Sequence, residues 1–118
     1  MKKRRSILAA AAALGMSVMV PGTGLAQSFP SKPIRIVVAF APGGATDALA
    51  RSLAQQLSVQ TGATVIVENK PGASGAIAME LVARAPADGY TLLWGSDTVV
   101  VQPLLRKNFP VDPLRDLT

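Results

Sequence analysis

Cysteine and histidine are both absent from this 118-residue sequence, and aromatic residues make up only 4% of it. Without thiols there is no disulfide framework and no thiolate nucleophile. Without imidazole there is no histidine base and no thiolate or imidazole zinc site. Acids are also scarce: seven Asp and Glu stand against twelve Lys and Arg, a formal net charge of +5. They are spread too thinly along the chain to suggest an all-carboxylate metal site. The excess of positive charge suggests nucleic acid, but Lys2, Lys3, Arg4 and Arg5 carry four of the twelve. From Gln27 onward, eight basic and seven acidic residues remain in 92, a net of +1. The electrostatic footprint of a DNA or RNA binder is therefore missing. The length allows one domain at most.

The first 26 residues read as an address. Met1–Arg5 is positive, Ile7–Val20 is a 14-residue apolar stretch, and Gly24-Leu25-Ala26 supplies a small-x-small ending. These are the parts of a secretory signal peptide, with cleavage expected after Ala26. As a helix the apolar stretch would span about 21 Å, short of the roughly 30 Å hydrocarbon core a membrane anchor must cross. Arg4-Arg5 leaves both the general and the twin-arginine export routes open. Export without cysteines fits a bacterial periplasm, where disulfides are permitted but not required.

Beyond Ala26, β-branched runs alternate with helical patterns. Ile34–Phe40 is short, nearly continuous and apolar, as expected of a buried parallel strand. Pro42-Gly43-Gly44 breaks it. From Ala45, Leu49, Leu53 and Leu57 recur every fourth residue beside Ala50 and Ala54, which predicts an amphipathic helix with one buried stripe. Gly62 is placed to end it as a left-handed cap. Thr64–Glu68 is a second strand. Ile77, Ala78, Leu81, Val82 and Ala85 form another helical stripe, with Glu80 and Arg84 as an i,i+4 pair on its wet face. Pro86 stops that helix, Asp88-Gly89 turns the chain, and Tyr90–Trp94 is a third strand. The fold class is α/β, a parallel sheet with flanking helices and right-handed crossovers. Val99-Val100-Val101 suits either a further strand or a short helix ending near Pro103–Lys107. Phe109–Asp116, with two prolines, reads as an irregular connection.

In an open parallel sheet the loops that follow the strands share one edge, where ligands bind. Three small-residue loops fall there: Ala41-Pro42-Gly43-Gly44, Pro71-Gly72-Ala73-Ser74-Gly75 and Gly95-Ser96-Asp97-Thr98. Two lead directly into helices, whose first N–H groups lack intrahelical partners and lie at the positive end of the helix dipole. Absent side chains admit a ligand to the backbone, and Thr46, Ser74, Ser96 and Thr98 add hydroxyls. Such a set suits a carboxylate or similar anion held by neutral donors. The same Pro-Gly sequences also occur in ordinary turns. Asp47 would repel an anion, whereas an acid in a first helical turn stabilises it. Asp97 is either a ligand for an amino group or a plain loop residue. Trp94 and Tyr90 suit core or rim packing.

Other chemistries find no motif. There is no G-x-G-x-x-G after the first strand, no G-x-x-x-x-G-K-[ST], and no G-x-S-x-G elbow. No catalytic residue, metal site or cofactor is assigned.

Ser31–Asp47 resembles the opening of the tripartite tricarboxylate transporter substrate-binding proteins, the Bug receptors. The resemblance continues through Val67–Gly75, Ala85–Leu93 and the Asp112-Pro113-Leu114-Arg115-Asp116 stretch. It implies part of the first lobe of a periplasmic-binding-protein type II-like fold, in a receptor whose two lobes close on a small carboxylate-bearing solute. The partner it implies is a membrane permease, with no nucleic acid and no enzyme activity. Carried over by position, the carboxylate clasp comprises Phe40, Ala41, Pro42, Gly43, Gly44 and Asp47 from the first loop. The second loop gives Gly72, Ala73, Ser74 and Gly75, and the third Ser96 and Thr98. Ala39 stands where the family commonly has Pro, and Ser74 where it often has Gly.

Members of that family are much longer. The expectation is thus a signal peptide at 1–26 and, at 27–118, a partial N-terminal lobe with the second lobe absent. The alternatives are an inert truncated product and an exported α/β enzyme whose catalytic residues lie downstream.

Overall fold

The computed structural model describes residues 28–117. The proposed signal peptide and its cleavage site lie outside the described residues.

The central strand, β1, is Ile34–Val38. It is flanked in parallel by β2, Val65–Asn69, and β3, Thr91–Trp94, in the order β2-β1-β3. The register runs from Ile34 opposite Val65 to Val38 opposite Asn69, and from Arg35 opposite Thr91 to Val38 opposite Trp94. Because successive side chains of a strand face opposite ways, β1 feeds two cores. Ile36 and Val38 pack with Ala50 and Ala54 of helix α1, Ala45–Thr61. Val37 and Ala39 pack with Ala78 of helix α2, Ala76–Ala83. The two helices therefore cover opposite faces, as the right-handed crossovers require. Gly62 ends α1 with φ +69° and donates its N–H to the Ser58 carbonyl, the left-handed cap expected from sequence.

Of three details, the first and third depart from the sequence reading, and the second decides between the two alternatives it left open. First, the buried stripe of α1 is Asp47, Ala50 and Ala54, while Leu49 is 62% and Leu53 37% exposed. Alanine lets the helix lie close on Ile36 and Val38, which rotates the leucine row to the flank. Second, the Val99–Val101 run is helical, within α3, Thr98–Leu105. Both Val100 and Val101 donate their N–H to the Asp97 carbonyl, which starts a helical turn despite the β-branched composition. Third, the segment read as irregular contains a short helix, α4, Pro113–Asp116. The Asp112 carboxylate accepts the Leu114 N–H at 3.1 Å, and Pro113 occupies a first-turn position that needs no donor.

At the edge of the sheet where the strands begin, Asp88 accepts the Tyr90 N–H at 3.0 Å and pairs with Lys32 at 2.8 Å. The Tyr90 hydroxyl accepts the Ser31 N–H at 2.7 Å. Its ring lies 4.9 Å from that of Phe29, so Tyr90 is a rim residue tying the incoming chain to β3. Among the described residues, no helix is long and apolar enough to cross a membrane.

Candidate functional site: three loops at the carboxyl edge of the sheet

The strand order puts β1 between its successors, so the chain leaves β1 toward one neighbour and returns to the other. The carboxyl end of β1, next to β3, is the switch point of such a sheet, where ligands bind. All three small-residue loops follow strands at that edge, and the second and third meet beside the end of β1. A Cβ added to Gly75 would lie 3.5 Å from the Ala39 Cβ at the end of β1 and 3.8 Å from the Thr98 Oγ1 at the start of α3. Trp94 closes the same corner from β3, donating its indole N–H to the Thr46 carbonyl at 3.1 Å.

The first loop runs from Phe40 to Gly44. The Phe40 side chain packs against both cores, and Ala41, Pro42, Gly43 and Gly44 are exposed. Gly43 has φ +89°, which favours glycine. Its N–H is already used, donating to the Asp47 carboxylate at 2.9 Å. The N–H groups of Gly44, Ala45, Thr46 and Asp47, at the start of α1, have no acceptor among the described residues.

The second loop is tighter. Ala73–Gly75 forms a single 3-10 turn in which Ala73 and Ser74 both hold positive φ, 48° and 55°. Side chains rarely adopt this conformation, which costs on the order of 1–2 kcal/mol per residue. The Gly75 N–H closes on the Gly72 carbonyl at 2.9 Å and the Ala76 N–H on that of Ala73. The Ala73 and Ser74 amides and the Ser74 hydroxyl have no partner among the described residues. In the third loop, the Ser96 and Thr98 hydroxyls lie 3.2 Å apart and hydrogen-bond to each other. Of the expected site residues, Gly75 and Thr98 come together beside Ala39; Asp47 is buried within α1, and the Gly43 and Gly75 amides serve the loops themselves.

Asp47 is 4% exposed and its carboxylate is fully engaged. It accepts from Arg51 Nε at 3.0 Å, from the Gly43 amide, and from Asn69 Nδ2 at 2.9 Å. The Arg51 guanidinium first, then the Gly43 amide and the Asn69 side chain, hold its carboxyl well below the usual range. Asp47 therefore acts on the loop from within. Arg51 and Asn69 were not among the residues singled out in the sequence. The i,i+4 spacing of Asp47 and Arg51 was a usable signal; the approach of Asn69, 22 positions from Asp47, was not.

The cations beside the loops are similarly committed: Arg51 pairs with Asp47 at 3.0 Å and Lys70 with Glu68 at 2.8 Å. What the loops offer an anion is consequently a set of neutral backbone donors. No group of three or more metal-ligating side chains occurs among the described residues. A separate groove of about 230 Å³, lined by Val82, Pro86, Thr91, Leu92 and Leu117, has Asp116 as its one charged wall, which disfavours an anion.

Comparison with known proteins shows what family this sheet and its loops belong to. Residues 49–118 match the tripartite tricarboxylate transporter family receptor model. The chain belongs to this family, the one its motifs resemble. It is 45% identical over 114 residues to a UPF0065 protein of Bordetella bronchiseptica, covering 96% of this chain and 33% of that protein. Protein BugT of Bordetella pertussis is 42% identical over 94 residues, covering 78% of this chain and 29% of BugT. The chain thus spans about a third of the length of these relatives.

Among solved structures, Rpa4515 of R. palustris with adipate superposes with a TM-score of 0.69 at 38% identity, over 73% of this chain and 29% of that one. MatC of Rhodopseudomonas palustris with bound malate gives 0.53 at 40% identity, over 55% and 22%. The periplasmic binding protein BugD gives 0.53 at 52% identity, over 55% and 22%. The family is one of periplasmic receptors and binding proteins, not of enzymes.

Proposed function

We propose that this chain is the carboxylate-clasping part of an extracytoplasmic solute receptor. It captures a small carboxylate-bearing solute for the membrane permease of a tripartite tricarboxylate-type transporter. One carboxylate of the solute is held by backbone N–H groups of the two glycine-rich loops: Gly44, Ala45 and Thr46 at the head of α1, with Ala73 and Ser74 opposite. Ser96 and Thr98 border the site from the third loop. The observation that carries this reading is the placing of Gly75 between the end of β1 at Ala39 and Thr98 of the third loop. On that edge the first loop also leaves β1, and the amides of Gly44, Ala45, Thr46, Ala73 and Ser74 lack internal acceptors among the described residues. Adipate and malate, named with two related structures, are the chemical class such donors suit.

The physics is that of an anion site without a formal counter-charge. A carboxylate leaving water needs replacement hydrogen bonds, since an unpaired buried charge is costly. Amides at a helix start provide them, already oriented and reinforced by the helix dipole. Neutral donors bind a charge firmly enough for capture, and no salt bridge has to break for release. The basic segment Met1–Arg5 and the apolar run after it export the protein, with cleavage after Ala26, and residues 27–118 form part of its first lobe.

Calorimetric titration of the protein expressed from its whole gene, with a panel of mono-, di- and tricarboxylates, tests the reading. A micromolar or tighter complex with at least one, about −8 kcal/mol, is expected. No binding across the panel contradicts it.

A further inference from the structure

We propose that Asn69 is a positioning residue for the carboxylate clasp, completing a closed ring with Asp47 and Arg51 that sets the shape of the first loop before any solute arrives. The inference rests on the proposed binding role of that loop. Its structural part, the bracing of the loop, can be tested independently.

Three side chains close the ring. Asn69 Nδ2 donates to Asp47 Oδ1 at 2.9 Å, Arg51 Nε donates to Asp47 Oδ2 at 3.0 Å, and Arg51 Nη2 donates to Asn69 Oδ1 at 3.0 Å. Two spokes run from the ring to the loop backbone. Asn69 Nδ2 also donates to the Phe40 carbonyl at 3.1 Å, and the Gly43 N–H donates to Asp47 Oδ2 at 2.9 Å. The loop is thereby gripped near both ends, through a carbonyl at Phe40 and an amide at Gly43. The amides of Gly44, Ala45 and Thr46 follow directly.

Asn69 is anchored for this task. It is the last residue of β2, in register with Val38 of β1, and the next residue, Lys70, donates its N–H to the Val38 carbonyl at 2.8 Å. The position requires one group that donates and accepts at a single side-chain length, because Asn69 gives to Asp47 and Phe40 while receiving from Arg51. Aspartate would lose both donated bonds and set a second carboxylate against Asp47. Leucine would lose all three. The ring also settles the role of Asp47: with every contact directed at Arg51, Asn69 and Gly43, its charge is neutralised internally and does not oppose an incoming anion.

A pre-set loop raises affinity because the bound solute need not order it. Removing the ring should therefore cost binding more than it costs folding. The test compares Asn69→Ala, Asp47→Asn and the double variant with wild type, all in the protein expressed from its whole gene. Tyr90→Phe, at the opposite edge of the sheet, serves as a stability control. In the solute-free protein, amide exchange at Gly43 should accelerate at least tenfold in Asn69→Ala, while Ala50 and Ala54 in the middle of α1 stay protected. Unchanged exchange at Gly43 overturns the inference, whatever the binding results.

In calorimetry with malate and adipate, Asn69→Ala should bind at least tenfold more weakly than wild type, and the double variant little worse than either single. Tyr90→Phe should lose some thermal stability at unchanged affinity. Equal affinity of Asn69→Ala and wild type, or strictly additive losses in the double variant, overturns the positioning role. Wild-type protein that binds no carboxylate, with faster Gly43 exchange in Asn69→Ala, refutes the receptor reading and the binding role of the ring, while upholding its bracing of the loop.

Discussion

The indole N–H of Trp94 reaches across the end of the sheet to the carbonyl of Thr46, 3.1 Å away, and so joins the last residue of β3 to the first turn of α1. These residues are 48 positions apart in the chain. The bond holds the third strand to the helix that carries the first loop, and Trp94 also packs against the core under α1. Trp94→Phe keeps much of the apolar contact and removes the donor. It is expected to lower the unfolding free energy by about 0.5–1.5 kcal/mol, read from urea denaturation. An unchanged midpoint would show that the bond contributes nothing.

The orientation of α1 gives a paired prediction. Ala50 is fully buried against the sheet, whereas Leu49 is 62% exposed. Ala50→Leu should overpack the interface with Ile36 and Val38 and destabilise by about 1–3 kcal/mol. Leu49→Ser should stay within about 0.5 kcal/mol of wild type, as an exposed substitution does. A reversed order in thermal denaturation would restore the leucine stripe as the buried face.

Acid stability follows from the carboxylates. Asp47 is depressed chiefly by Arg51, Glu68 by Lys70, Asp88 by Lys32 and Asp116 by Arg115. A group whose pKa is lower in the folded state contributes stability that is complete above its unfolded value. That stability is lost as the pH falls toward the folded value. Stability should accordingly be flat above about pH 5 and decline below about pH 4, near the ordinary aspartate value. Asp47→Asn should be less stable at neutral pH and show a shallower acid decline, because its largest contributor is gone. Parallel curves for the two proteins across this range, from urea midpoints, would contradict the assignment.

Much of the architecture was legible before any coordinates. Runs such as Ile34–Phe40 and Thr64–Glu68 are short, β-branched and bounded by Gly and Pro, and the parallel sheet with its crossovers follows from their alternation with helical stripes. The left-handed cap at Gly62 and the Glu80–Arg84 pair, at 3.1 Å, also follow from local chemistry. Side-chain rotation about a helix axis is less legible. Leu49 and Ala50 are neighbours, and only the close approach of the sheet selects the smaller one as the buried residue. Val99–Val101 shows local propensity overridden by a turn that Asp97 begins. The loops themselves were legible because glycine marks backbone that approaches something closely. The ring that shapes the first of them was not, since Asn69 and Asp47 meet only once β2 lies beside β1.

Nitrogen–proton NMR of the isotopically labelled protein from its whole gene, titrated with malate or adipate, tests the central claim most directly. A backbone clasp predicts saturable shifts concentrated at the amides of Gly44, Ala45, Thr46, Ala73 and Ser74, with the sheet interior around Ile36 and Val37 undisturbed. Saturable binding that leaves those five amides unmoved would contradict it.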